Sequence, residues 1–188
     1  MRIVPTAISV LFASALVLSG TTAASAAETR LVTAHGTFKA YSPDAKAITY
    51  KPELVPAGAR AHVFALTGNR IGTTTVLAVS GLLPDREYGA HVHTNACGAT
   101  GDAAGPHFQN QPDPVKPSVD PAYANPRNEI WLDFTTSRLG IGFSSSHVDW
   151  GFTDRHPGSV VIHEMHTHTD PGHAGTAGAR LACVNVGF

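Results

Sequence analysis

Turn-forming residues punctuate this chain at short intervals, and that punctuation argues against a fold built on long helices. Ser42-Pro43-Asp44, then Pro52, Pro56 and Gly58, then Gly68-Asn69, then the run GLLPD over 81–85 each mark a turn. Between them lie short segments with the Val and Thr content of strands: residues 30–39, 47–51, 61–67 and 72–79, followed by a strand that contains YGAHVH. No stretch shows a helical apolar period. With 18 Gly, 13 Pro and only 14% charged residues, the composition agrees with an all-β domain rather than with charge-laced helices.

Past residue 108 the pattern changes. Residues 109–127 hold five prolines in NQPDPVKPSVDPAYANP and no apolar period, which predicts a long structured loop placed to wall whatever site His107 joins. Residues 129–135 alternate cleanly: Ile130, Leu132 and Phe134 share one face and belong to the core, while Glu129, Trp131 and Asp133 share the outward one. Residues 138–143 and 147–152 are weaker strand segments. Residues 158–164, containing SVVIHE, form a strong strand with His163 near its end, and residues 180–186 form the last.

The start of the chain sets the compartment. Residues 1–27 carry one charge, Arg2, an apolar run over 8–18, and small residues ending Ala24-Ser25-Ala26-Ala27. The run is shorter than the ~20 residues that cross a bilayer, so it reads as a secretory signal peptide cleaved after Ala26 or Ala27, with no Cys behind it for a lipid anchor. Residues 28–188 then form one exported soluble domain without a membrane anchor. Of the 13 basic residues Arg2 leaves with the signal, so 12 face 14 acidic ones; the net charge of −2 argues against a nucleic-acid partner.

All 11 histidines lie from His35 onward. His91 and His93 stand one residue apart in a strand, where successive side chains alternate, so they share a face opposite Ala90 and Val92. His107 follows across a small-residue loop that holds Cys97. A single strand histidine is ordinarily a satisfied or exposed side chain, but a His-x-His pair with a third histidine nearby forms a chelate, and imidazoles without thiolate or carboxylate suit copper or zinc. Two cysteines in an exported chain predict one disulfide, Cys97–Cys183, with about 4 to 5 kcal/mol of chain-entropy stabilisation. The bond would tie the loop between His93 and His107 to the strand that begins at Arg180, fixing a cation beside the metal, or serve purely as a global staple; spacing alone does not separate the two.

The runs GAHVHTNACGATGDAAGPHF, VVIHE and GARLAC, in that order, resemble the copper/zinc superoxide dismutase family, whose motifs are G-x-H-V-H, a Cys, G-P-H-F, V-V-H-E and G-S-R-L-A-C. The resemblance covers residues 30–188 in strand order. It implies an all-β fold, an eight-stranded Greek-key β-barrel with long functional loops. It implies His91, His93, His107 and His163 as copper ligands, Arg180 as the arginine that guides the anionic substrate, superoxide, and Cys97 and Cys183 as the intrasubunit disulfide. For Arg180 the plainer alternative is a salt bridge at the start of a strand.

The departures from the family pattern carry as much information. In the family the G-P-H-F histidine bridges copper to a zinc ion held by two further histidines and an aspartate of the following loop. Here the only carboxylates between His107 and His147 are Asp113, Asp120, Glu129 and Asp133, and that stretch holds no other histidine, so a closed zinc cage is not expected. The aspartate that normally follows V-V-H-E is also displaced, with Thr167 at about its place and Asp170 nearby. Both departures resemble the copper-only branch, in which His107 would bind copper alone, release it on reduction and carry a proton, with Glu129 as its expected acceptor. The expected function is a secreted copper-dependent superoxide dismutase that converts superoxide to oxygen and hydrogen peroxide, with a copper donor as a candidate partner. An exported copper-binding or copper-buffering protein on the same barrel is the alternative, and a metal-free structural barrel is the third. His166, His168 and His173 either capture copper for the site or are exposed without a role. His35, His62, His147 and His156 fit no pattern.

Overall fold

The computed structural model describes residues 29–188; the expected signal peptide, 1–27, lies outside the described residues. Nine strand segments run in the order β1 (Arg30–Thr37), β2 (Ala47–Thr49), β3 (Arg60–Gly68), β4 (Gly72–Ser80), β5 (Glu87–His93), β6 (Phe134–Thr135), β7 (Gly142–Val148), β8 (Ser159–His163) and β9 (Arg180–Asn185). A 3-10 turn, Gly101–Ala104, is the one helical element among the described residues. The strands form two antiparallel sheets, β1-β3-β4-β7 and β2-β9-β8-β5-β6. The chain crosses from the first sheet to the second after β4 and returns after β6 to lay β7 beside β4, which is the Greek-key order expected. Two of the nine segments, β2 and β6, are only three and two residues long.

The core lies between the sheets, and alternation decides which side chains enter it. On β3, Ala61, Val63 and Ala65 are buried while Arg60, His62 and Phe64 are exposed; on β5, Tyr88, Ala90 and Val92 join the same core. Ile130, Leu132 and Phe134 are buried as expected. Their segment is less regular than a continuous strand: only Phe134–Thr135 pairs as a ladder, and Glu129 and Trp131 form isolated bridges to Gln109 and His91. Its second face is not solvent-facing either, since Glu129 is only 1% exposed. The cause is the long loop, whose first residues run alongside and cover it.

The two weak segments expected at 138–143 and 147–152 are one strand, β7, centred between them. Its inward positions are Gly142, Ser144, Ser146 and Val148, so no apolar alternation marks it; pairing with β4 along its length defines it instead. β9 carries a bulge: His163 pairs with Arg180 and Ile162 with Ala182, so Leu181 is the extra residue. Such a bulge re-aims the side chain beside it, and here that side chain is Arg180.

Cys97 and Cys183 form the expected disulfide, joining the loop after β5 to β9. It closes a separation of 86 residues, and it secures the loop whose Gly101 carbonyl accepts a 2.9 Å hydrogen bond from Arg180 Nη1. Replacing both cysteines by alanine is expected to cost about 2 to 4 kcal/mol of unfolding free energy, read from the urea midpoint; an unchanged midpoint would make the bond dispensable to the fold.

Candidate metal centre

Four histidines from three regions meet on the outer face of the five-stranded sheet. β5 supplies His91 and His93 from the face opposite Ala90 and Val92. β8 lies beside β5 with Gly89 opposite His163, which brings His163 to the same face. His107 reaches the group because the loop after β5 returns to form a bridge between His93 and His107. One ring nitrogen from each of the four lies within 4.8 Å of the others. Loops roof the face, so His91 and His93 are fully buried and His163 nearly so.

Each ring has two nitrogens, and the hydrogen bonds show which is spoken for. His93 Nδ1 donates to the Gly105 carbonyl at 2.9 Å. That turn needs glycine: Gly105 has φ 71°, and a Cβ there would collide with the side chains of Thr94 and Asn95. His107 Nδ1 donates to Glu129 Oε2 at 2.7 Å. His91 Nε2 lies 2.6 Å from Thr167 Oγ1. What remains for a shared ligand is Nδ1 of His91, which is buried with no hydrogen-bond partner, and Nε2 of His93, His107 and His163. Nε2 of His93 and His163 already face each other at 3.2 Å. His163 Nδ1 lies near the backbone of Gly178 without a well-formed hydrogen bond.

A buried ring nitrogen without a partner is costly unless something accepts its lone pair. Convergent lone pairs of neutral imidazoles fit a transition-metal ion of the copper or zinc type. Burial, followed by the positive charge of neighbouring rings, pushes His91 and His93 well below the ordinary histidine range and takes His163 down to about 3. Neutral imidazole is the metal-binding form.

Glu129 holds its place through three donors. Its Oε2 also accepts from Trp131 Nε1 at 2.7 Å, and its Oε1 from Gln109 Nε2 at 2.8 Å. The outward set of the 129–135 segment therefore serves the site as a group: Glu129 on His107, Trp131 edge-on to His91 at 5.9 Å between ring centroids, and Asp133 behind Thr167. Trp131, Asp133 and Gln109 had no role in the sequence reading. The legible signal was Glu-x-Trp-x-Asp on one face of a segment near the His-x-His strand.

A cleft of about 750 Å³ opens over the histidines, lined by His107, His163, Glu129 and Arg180 and, from the long loop, by Lys116 and Val119. The loop thus walls the site as expected. Arg180 is half-buried, and among the described residues no carboxylate lies within ion-pair distance of it. That removes the strand-start salt bridge as its role. His166, His168 and His173 stay outside the cluster. His166 Nε2 sits 3.2 Å from the Phe134 carbonyl, and the His168 and His173 rings lie 6.4 Å apart at the surface. His35 and His62 stack across β1 and β3 on the far sheet.

The depressed histidines make the metal-free protein acid-sensitive. In the unfolded chain these rings take a proton near the ordinary value of ~6.5, whereas the folded chain resists protonation until far lower pH. Their contribution to stability is therefore complete above about pH 6.5 and is lost as pH falls below it, for His163 down to about 3. Urea midpoints of the metal-free protein should fall steadily across that window, and His163→Phe should flatten the slope. A midpoint constant between pH 6.5 and 4 would contradict the burial argument.

No family model matches the chain, and no curated protein matches its sequence. Solved structures do match its architecture. The copper/zinc superoxide dismutase of Brucella abortus superposes with a TM-score of 0.54 at 16% identity, covering 84% of this chain and 99% of its own. A point mutant of a superoxide dismutase-like protein from Bacillus subtilis gives 0.52 at 14% identity, covering 66% of this chain and 88% of its own. The fold of this chain is that of the copper/zinc superoxide dismutases.

Proposed function

We propose that this protein is an exported copper-dependent superoxide dismutase that works without a zinc site. One observation carries the reading: four imidazoles converge with the other nitrogens of three of them hydrogen-bonded and Nδ1 of His91 buried without a partner. His91, His93, His107 and His163 would hold copper. Copper cycling between two oxidation states would supply the alternating oxidation and reduction that turn superoxide into oxygen and hydrogen peroxide. Tetragonal nitrogen donors suit the oxidised ion.

The residues of the chain supply the rest. Arg180 presents an unpaired cation at the cleft and draws a small anion toward the histidines, an effect that a low-dielectric wall strengthens. Glu129 keeps the proton of His107 on Nδ1 and holds the ring in place, so that the ring delivers and recovers a proton from a defined position. That bond also speaks against zinc, because it occupies the nitrogen a second metal would need. The nearby loop carboxylate is spoken for as well: Asp113 accepts from Val115 N and Ser118 Oγ, which hold its carboxyl below the usual range. Export rests on residues 1–27 read as a signal peptide and agrees with the disulfide, which oxidising compartments favour.

A copper-buffering protein would use the same four ligands but has no use for an unpaired arginine over the cleft. Copper loading is expected to give one copper and no zinc per chain by elemental analysis, together with superoxide decay well above that of free protein. His91→Ala and His163→Ala should each abolish both. One copper without activity would leave the buffering reading standing, and one tightly held zinc beside each copper would overturn the zinc-free assignment.

Arg180 separates steering from structure. Arg180→Ala should leave copper content unchanged while lowering the rate about tenfold or more at low ionic strength and flattening its decline with added salt. A rate and salt slope equal to the parent would assign Arg180 to holding Gly101.

A further inference from the structure

Two of the four rings have their proton placed by groups that can only accept. The Gly105 carbonyl forces hydrogen onto His93 Nδ1, and the Glu129 carboxylate forces it onto His107 Nδ1. His91 is different. Its Nε2 faces the Thr167 hydroxyl at 2.6 Å, and a hydroxyl can donate or accept. If Thr167 donated, Nε2 would lose its hydrogen, the proton would move to Nδ1, and the nitrogen left for the metal would be blocked.

Asp133 removes the ambiguity. Its Oδ1 lies 2.8 Å from Thr167 Oγ1 and its Oδ2 accepts from the Thr167 backbone N at 2.7 Å, while Oδ1 also accepts from Ala90 N on β5 at 3.0 Å. A carboxylate has no hydrogen to give, so the single hydroxyl hydrogen of Thr167 goes to Asp133. Toward His91 the hydroxyl oxygen is left only as an acceptor. The carboxylate also sits 3.8 Å from His91 Nε2, where its charge favours hydrogen on that nitrogen. At the other end of the ring, His91 Nδ1 is buried and has no protein partner, so no protein group competes with a metal for it.

We propose that Thr167 and Asp133 are a positioning pair that holds His91 as its Nε2–H tautomer and so reserves Nδ1 for the metal. The proposal deepens the copper reading and rests on it for its purpose, but the tautomer itself is a property of the metal-free chain. Because Thr167 comes from the loop after β8 and Asp133 from the segment beside β5, the pair also makes the tautomer depend on that loop being docked. A conformational loss at the loop would appear as a loss of metal affinity.

The test uses the mature chain, free of metal and with nitrogen-15 in its histidines. Proton-detected nitrogen spectra of the parent should show His91 carrying its hydrogen on Nε2 in slow exchange with water. Thr167→Val keeps the branched shape and removes the hydroxyl; it should abolish the Nε2–H preference and lower copper affinity, measured by competition with a chelator, about 10- to 100-fold. Thr167→Ser should restore the tautomer and hold affinity within about threefold of the parent. Asp133→Asn, which frees the hydroxyl hydrogen or breaks one of the three bonds, should fall between them. A parent His91 with its hydrogen on Nδ1 overturns the proposal, as does a Thr167→Val protein with parental tautomer and affinity, or a Thr167→Ser protein that loses as much as the valine variant. Should Thr167→Val fail to fold, the parent spectrum and the serine variant still decide. If the parent binds no copper, the function proposed above fails while the tautomer measurement continues to test the pair.

Discussion

The pleat of β5 sets two demands on adjacent residues, and the rest of the site depends on both being met. Tyr88, Ala90 and Val92 must fit between the two sheets, where they help close the apolar core. His91 and His93 point the other way, out of the barrel, where a sheet would ordinarily meet water. Loops convert that outer face into a second interior. The 94–107 segment is pinned by the disulfide, residues 109–133 run along the free side of β5, and residues 164–179 close over the end of β8.

Enclosure has an electrostatic cost and a chemical use. Imidazoles removed from water cannot take up a proton readily, so the rings remain neutral and their lone pairs stay available. Acceptors around the rim then settle which nitrogen of His93 and His107 carries hydrogen. In a site with two metals the far nitrogen of His107 would face the second ion. Here a carboxylate fixed by three donors stands in that position, and it can orient the ring while leaving a proton on it.

The same enclosure leaves ring nitrogens of the cluster without protein partners. A buried ring nitrogen without a protein partner, as at His91 Nδ1, is a feature a folded chain ordinarily avoids. An ion bound by the four rings would stabilise the folded chain by mass action. Arg180 is half-buried as well, and the charge of Asp102 and the Gly101 carbonyl are what compensate its cation.

Much of this was legible along the chain. Period-two alternation placed His91 and His93 on one face and Ile130, Leu132 and Phe134 in the core, because the pleat is a local property of extended backbone. Two cysteines admit one pairing. What alternation cannot say is what covers a face once it has been assigned. The outward set of 129–135 offered Glu129 as an acceptor for His107, and the two do meet, but alternation does not show that a loop folds over that face and buries Glu129. β7 carried no apolar pattern and exists through its pairing with β4. The partner of His91, Thr167, lies 76 residues away. The sequence by itself determined the strands with strong alternation, the shared face of the paired histidines and the disulfide. Only the tertiary structure decided which nitrogen of each ring is free, because that choice belongs to hydrogen-bond partners brought together by loops whose paths no local pattern specifies.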